Sequence, residues 1–147
     1  MPDFSFYPRV GGGTVRVITG TDPAAGVEIT ETVPAGRVWK LNSFRAQLVT
    51  DATVANRTLR LIIDDGTTTL FDYYSALASQ AASQTIAYNF SIGLSAPTVS
   101  SALGVANAPL GEGFILGPGY RIRTLASGLV AGDNWGAPVF QVVQYDA

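Results

Sequence analysis

Apolar side chains in this sequence recur at every second position, and that period decides what the chain can fold into. A period of 2 places alternate side chains on opposite faces of an extended strand, whereas a helix needs a period near 3.6. Val15, Val17 and Thr19 alternate with Arg16 and Ile18. Val27 and Ile29 alternate with Glu28 and Thr30. Ile86, Tyr88 and Phe90 repeat the pattern, as do Tyr120, Ile122 and Thr124 with Arg121 and Arg123 between them. No stretch carries a helical apolar stripe.

The run from Arg37 to Thr50 breaks the rule in an informative way. Trp39 and Leu41 share one parity, but Phe44, Ala46 and Leu48 share the other. One extra residue near Asn42-Ser43 would flip the inward set, which predicts a β-bulge there or a strand that bends between two sheets. Further on, Leu59, Leu61 and Ile63 alternate up to Asp64-Asp65-Gly66, the strongest hairpin signal in the chain. A two-residue loop would set Leu61 against Leu70 but Leu59 against Asp72. A three-residue loop with Gly66 left-handed pairs Leu59 with Phe71 and Arg57 with Tyr73, and is preferred because it keeps apolar residues together.

Ser75 to Gln84 is small and polar and reads as a loop or a poor helix. Gly93 to Ala108 reads as loops with at most one short strand. Gly113 to Leu116 reads as a strand ending at the turn Gly117-Pro118-Gly119, and Ala131 to Asn134 as another turn. Pro138 to Tyr145 is the closing strand. About eight to ten short strands separated by turn residues predict an all-β fold, a single antiparallel β-sandwich or jelly-roll-like domain. The expected organisation is an extended N-terminal arm over residues 1–13 and the sandwich over 14–147. Gly11-Gly12-Gly13 reads as a hinge, with Phe4, Phe6 and Tyr7 as the arm's anchors on a neighbouring subunit or capsid.

What the chain lacks narrows its chemistry. It has no cysteine and no histidine among 147 residues. That removes thiolate sites, the commonest metal ligand and the commonest general base. Charged residues make up 14%, against about 25% in an average domain. Such a weakly charged surface fits either a plain sandwich or one covered in an assembly. Lys40 and eight arginines are scattered, with no basic block for a phosphate backbone, so nucleic acid is not an expected partner. No apolar run approaches the roughly 20 residues of a membrane helix, and residues 1–8 lack the pattern of a signal peptide. No membrane partner is expected.

The remaining polar residues form no catalytic constellation. A glycosidase needs two acids about 5 to 9.5 Å apart across a bond. Asp64 and Asp65 are explained by turn chemistry, Asp72 is placed to face solvent, and Glu28 and Glu31 fall on opposite faces of one expected strand. Asp133-Asn134 and Asp64-Asp65 supply too few oxygens for calcium and have ordinary turn composition. Gly11-Gly12-Gly13-Thr14 lacks the lysine and helix of a phosphate loop. No catalytic residue, cofactor or metal is expected. Trp39, Trp135, Tyr73, Tyr74, Tyr88 and Tyr120 could form a sugar-stacking platform, but the favoured reading puts Trp39 in the core and Trp135 over one end of the sandwich.

Four stretches taken together carry a resemblance: VPAGRVWKLNSF (33–44), TVANRTLRLIIDDGT (53–67), ASQTIAYNFSIG (82–93) and GPGYRIRTLASGLVAGDNWGAPVF (117–140). The set resembles small β-sandwich virion proteins of tailed bacteriophages, in particular head decoration (cement) proteins. Its motifs are mainly strand and turn patterns, so they specify fold more than role. The resemblance implies a non-enzymatic protein, made in the host cytoplasm, that binds the major capsid protein on the outer surface of the head. It also implies a homo-oligomer, with a trimer favoured, that strengthens the shell by bridging capsid subunits. Two other readings share the fold: a tail or fibre module that binds a receptor or glycan, and a minor tail or neck structural protein.

Overall fold

The computed structural model describes residues 9–75 and 77–147. Phe4, Phe6 and Tyr7 lie outside the described residues. In chain order the strands are β1 (Arg9–Val10), β2 (Gly13–Thr19), β3 (Thr30–Thr32), β4 (Arg37–Val49), β5 (Thr58–Asp64), β6 (Thr69–Tyr74), β7 (Thr85–Ser91), β8 (Thr98–Ser100), β9 (Val105–Pro109), β10 (Ile115–Leu116), β11 (Arg121–Ser127), β12 (Asn134–Trp135) and β13 (Val139–Asp146). A single 3₁₀ turn, Ser101–Leu103, joins β8 to β9, and no α-helix occurs among the described residues.

These strands form two sheets around one core, a β-sandwich. The large sheet has the order β1-β2-β13-β4-β7-β9-β8, with β10 and β12 also pairing with β4. The small sheet has the order β3-β11-β5-β6. All pairings are antiparallel except β7 with β9, which is parallel. That pair departs from the wholly antiparallel expectation. The chain returns from β7 through β8 and the 3₁₀ turn, so β9 enters in the same direction as β7. The segment 93–108 therefore holds two strands, not one. Its small residues fit because Ala106 and Ala108 are buried where a larger inner side chain would not pack.

Register explains the core. Ile18, Phe140, Phe44, Phe90 and Ala108 lie in one row across five strands of the large sheet, on its inner face. Phe44 meets Phe140 and Phe90 with ring centroids 5.5 and 6.2 Å apart. The small sheet answers with the row Ile122, Ile63 and Phe71. The parity switch in β4 is a bulge: Ser43 pairs with Gln141 but Leu41 with Val142, which leaves Asn42 as the extra residue. Trp39, Leu41, Phe44, Ala46 and Leu48 are consequently all buried.

Three local expectations are corrected. The β5–β6 hairpin has neither register considered above. Leu61 faces Tyr73, Ile63 faces Phe71, and Asp64 faces Thr69 after a register shift. The loop is longer than three residues because Asp65 stabilises it: its Oδ1 accepts from the Thr67 and Thr68 amides at 2.9 and 2.7 Å. Second, Gly11-Gly12 is a tight turn and not a hinge. Both residues have positive φ (56° and 85°), and Val10 pairs with Gly13 across them. Residues 9–13 thus belong to the large sheet. Third, Val27 to Ile29 is not strand; pairing starts at Thr30, because the Ile29 amide donates to Thr124 Oγ1 at 3.0 Å in place of a ladder bond.

Candidate functional site

A fully buried ion pair lies at one end of the sandwich. Arg57 and Asp133 are fully buried and paired through two bonds, Nε to Oδ2 and NH2 to Oδ1, both 2.8 Å. The rest of the guanidinium is also engaged. NH1 donates to the carbonyls of Thr53 and Ala55, and NH2 reaches Asp51 Oδ1 at 3.3 Å. Asp133 also accepts from the amides of Asp51 and Val130, each at 3.0 Å. Burial pushes the Asp133 carboxyl up, but the bonds from Arg57 and the two amides outweigh this and hold it below the ordinary carboxylate value. The same bond raises Arg57 above its own ordinary value, against burial.

This cluster is a clip. Arg57 also exchanges backbone bonds with Gln80 at 2.8 and 3.0 Å. The Gln80 side chain donates to the carbonyls of Leu48 and Gln84 and accepts from Tyr88 Oη at 2.9 Å. Burial raises the Tyr88 phenol well above its ordinary value. Three separate loops are thereby tied at one end of the sandwich. Trp135 is completely buried beside them and its Nε1 donates to Glu28 at 3.1 Å, so it is core rather than an end cap. Glu28 further accepts from Thr124 Oγ1 at 2.6 Å and from the Ala126 amide.

A second ionic group covers the outer face of the small sheet. Asp64 Oδ1 accepts from Arg121 Nε and its Oδ2 from Arg123 Nε, both at 2.6 Å. Burial again pushes its carboxyl up, and the bonds from Arg121, the Gly66 amide and Arg123 bring it below the ordinary value. Arg60 pairs with Asp72 at 3.1 Å and lies 5.5 Å over the Tyr74 ring. Sequence reasoning took Asp64 and Asp133 as turn residues and missed both clusters. The only signal was arginines recurring on strands of one face, as at Arg121 and Arg123.

The outer face of the large sheet is different. Val17, Gln141, Ser43, Ser91 and Pro109 form one row across it. Thr19, Val139, Arg45, Asn89, Asn107 and Thr98 form the next. Asn89 donates to Asn107 at 2.8 Å and Asn107 to Thr98 at 3.1 Å, a neutral hydrogen-bonded ladder. Arg45 is the one charged residue in these two rows, and neither contains a carboxylate. Val17 is 69% exposed.

Of the aromatic residues that could form a sugar platform, Trp39, Trp135 and Tyr88 are buried and Tyr120 packs on the core; Tyr73 and Tyr74 remain exposed. No group of three or more potential metal ligands occurs among the described residues, and no helix is long and apolar enough to cross a membrane. Comparison with family models, with curated proteins and with solved structures gave no match.

Proposed function

We propose that this protein is a non-enzymatic structural component of a bacteriophage virion, a decoration protein that docks on the major capsid protein through the outer face of its large sheet. The observation that carries the reading is the contrast between the two outer faces. The small sheet carries its charges on the outside already paired with one another. The large sheet presents two rows of small apolar and neutral polar side chains in which Arg45 is the one charge, with Val17, Gln141, Thr19, Arg45 and Thr98 exposed. Depletion of charge is what distinguishes the centre of a protein interface from ordinary surface. The four longer strands β2, β13, β4 and β7 together with the five-residue β9, at about 3.3 Å per residue and about 4.8 Å between strands, offer on the order of 600 Å² before flanking loops are counted. A specific interface buries about 800 Å² per partner, so this face is large enough to form most of one.

The chemistry of the carboxylates agrees with a structural role. Glu28, Asp51, Asp64, Asp72 and Asp133 are all held by arginines, amides or hydroxyls in roles that tie loops and strands together. Cementing follows from simple mechanics: a capsomer bridged to its neighbours can leave only after each added contact breaks. Trimerisation at a symmetry axis would multiply those contacts, and Phe4, Phe6 and Tyr7 would add an anchor on a neighbouring subunit. The expected location is the capsid surface. A tail or neck position would use the same face on a different partner.

The test is co-sedimentation with capsids of the encoding virus prepared without this protein. Native protein should pellet with capsids and Val17→Glu should not, because it places an unpaired charge in the interface. Equal pelleting by the two would overturn the use of this face.

A further inference from the structure

We infer that residues 3–7 of a second copy of this chain add an antiparallel strand to the edge of β6, with Phe4 beside Tyr73 and Phe6 beside Phe71. The inference rests on the arm's anchoring on a neighbouring subunit proposed above, and not on capsid docking. Four strands end the two sheets: β1 and β8 in the large one, β3 and β6 in the small one. β6 has six residues, whereas the others have two or three. Five of its six residues are exposed, and β5 is its one partner strand among the described residues. The Ser75 amide donates to the Leu59 carbonyl at 2.9 Å, so Tyr73 and Phe71, two and four residues earlier, also turn their backbone groups toward β5. The N–H and C=O groups of Asp72 and Tyr74 therefore point away from the sheet, and they meet no backbone partner among the described residues. Such an edge is a template for another strand.

The arm's sequence fits this edge. Phe4 and Phe6 alternate with Asp3, Ser5 and Tyr7, and Pro2 and Pro8 share the parity of the phenylalanines. Proline has no N–H to give a ladder, so an arm pairing along an edge would do so through Asp3, Ser5 and Tyr7. Setting Asp3 opposite Tyr74 and Ser5 opposite Asp72 brings Phe4 to Tyr73 and Phe6 to Phe71. Tyr73 and Phe71 stand opposite the buried Leu61 and Ile63 on the inner face, so both phenylalanines would extend apolar rows. Asp3 would join the outer-face row of Arg60 and Tyr74. Asp72 and Tyr74 from the outer face and Tyr73 from the inner face line one cleft of about 630 Å³ with Pro97 and Val99. The cleft thus follows the strand's edge, where an added strand would lie.

Distance makes the donor a second copy. β1 and β8 are the ends of a seven-strand order, six spacings apart, or about 29 Å. β6 stands at the β8 end, because Pro97 and Val99 share its cleft. Even Asp3, six residues before Arg9 in β1, reaches at most about 22 Å from it. Residues 3–7 therefore fall short of the β6 of their own chain.

The experiment is sedimentation equilibrium of the full chain without capsids, joined to cysteine cross-linking in a chain that has no cysteine of its own. Reversible self-association is expected. Ser5→Pro removes a ladder N–H and should weaken it about tenfold, whereas Ser5→Ala should not. Asp72→Pro, on the acceptor edge, should match Ser5→Pro; the arm variant stands even where Asp72→Pro lowers the melting temperature. Phe4→Cys combined with Tyr73→Cys should give a disulfide between chains under mild oxidation, since opposed positions of this kind lie within disulfide reach. Phe4→Cys combined with Asp72→Cys should not. A native chain that stays monomeric at every concentration, association indifferent to Ser5→Pro, or a cross-link closed within one chain would overturn the inference. Each of these results leaves the capsid test on Val17 intact, because that test reads the other sheet.

Discussion

Arg57 and Asp133 meet through two 2.8 Å hydrogen bonds, and neither side chain has any solvent exposure. They are 76 residues apart in sequence, so the pair closes a long loop of chain around the core. Removing one partner leaves the other charge buried and unpaired. Arg57→Ala should therefore cost about 3–5 kcal/mol of stability, measured by urea unfolding. The double replacement Arg57→Met with Asp133→Leu should recover part of that loss. It should not recover all, because the carbonyls of Thr53 and Ala55 lose their donor.

Asp64 and Asp133 give the stability a defined pH dependence. Both carboxyls are held below their ordinary value in the folded state. Their contribution is fully present above the unfolded value of about 3.9 and is lost as pH falls through the lower folded values. The melting temperature should hold down to about pH 4–5 and then drop. Asp133→Asn should lower stability at neutral pH and make the acid drop shallower. An unchanged acid limb in that variant would contradict the assignment.

Deleting Asn42 tests the bulge. Without the extra residue, Trp39 and Leu41 could not face inward together with Phe44, Ala46 and Leu48. The deletion should abolish cooperative thermal unfolding, whereas Asn42→Ala should be nearly neutral. A deletion variant that melts like the native chain would show that the register can slip at no cost.

Glu28 holds three donors at once, from Thr124, Ala126 and Trp135. Glu28→Ala should cost about 2–3 kcal/mol and shift tryptophan emission, since Trp135 Nε1 loses its acceptor. Glu112→Ala, at an exposed turn, should do neither.

How much of this was legible before the structure follows from what sets each feature. The bulge at Asn42 could be read because parity within one strand is a local property. The strand read over Gly113 to Leu116 is present as the two-residue β10, whereas β12 could not be read, since it exists only by pairing with distant β4. The β5–β6 register was misread because side-chain bonds of Asp64 and Asp65 lengthen the loop beyond what an Asp-Gly pair implies. The Arg57–Asp133 clip was invisible because nothing near either residue marks it as buried. Tyr73 and Tyr74, two of the six aromatic residues weighed as a sugar platform, stay exposed, but the register puts them on opposite faces of β6, which adjacent positions on a strand imply.

The central claim is that the outer face of the large sheet is an interface with a capsid. Cryo-electron microscopy of capsids lacking this protein, after addition of the purified chain, tests it most directly. Regular density is expected on the outer shell, at symmetry axes between capsomers, with the rows through Val17 and Asn89 turned toward the capsid. Bare shells under saturating protein, or density bound through the small sheet, would contradict it.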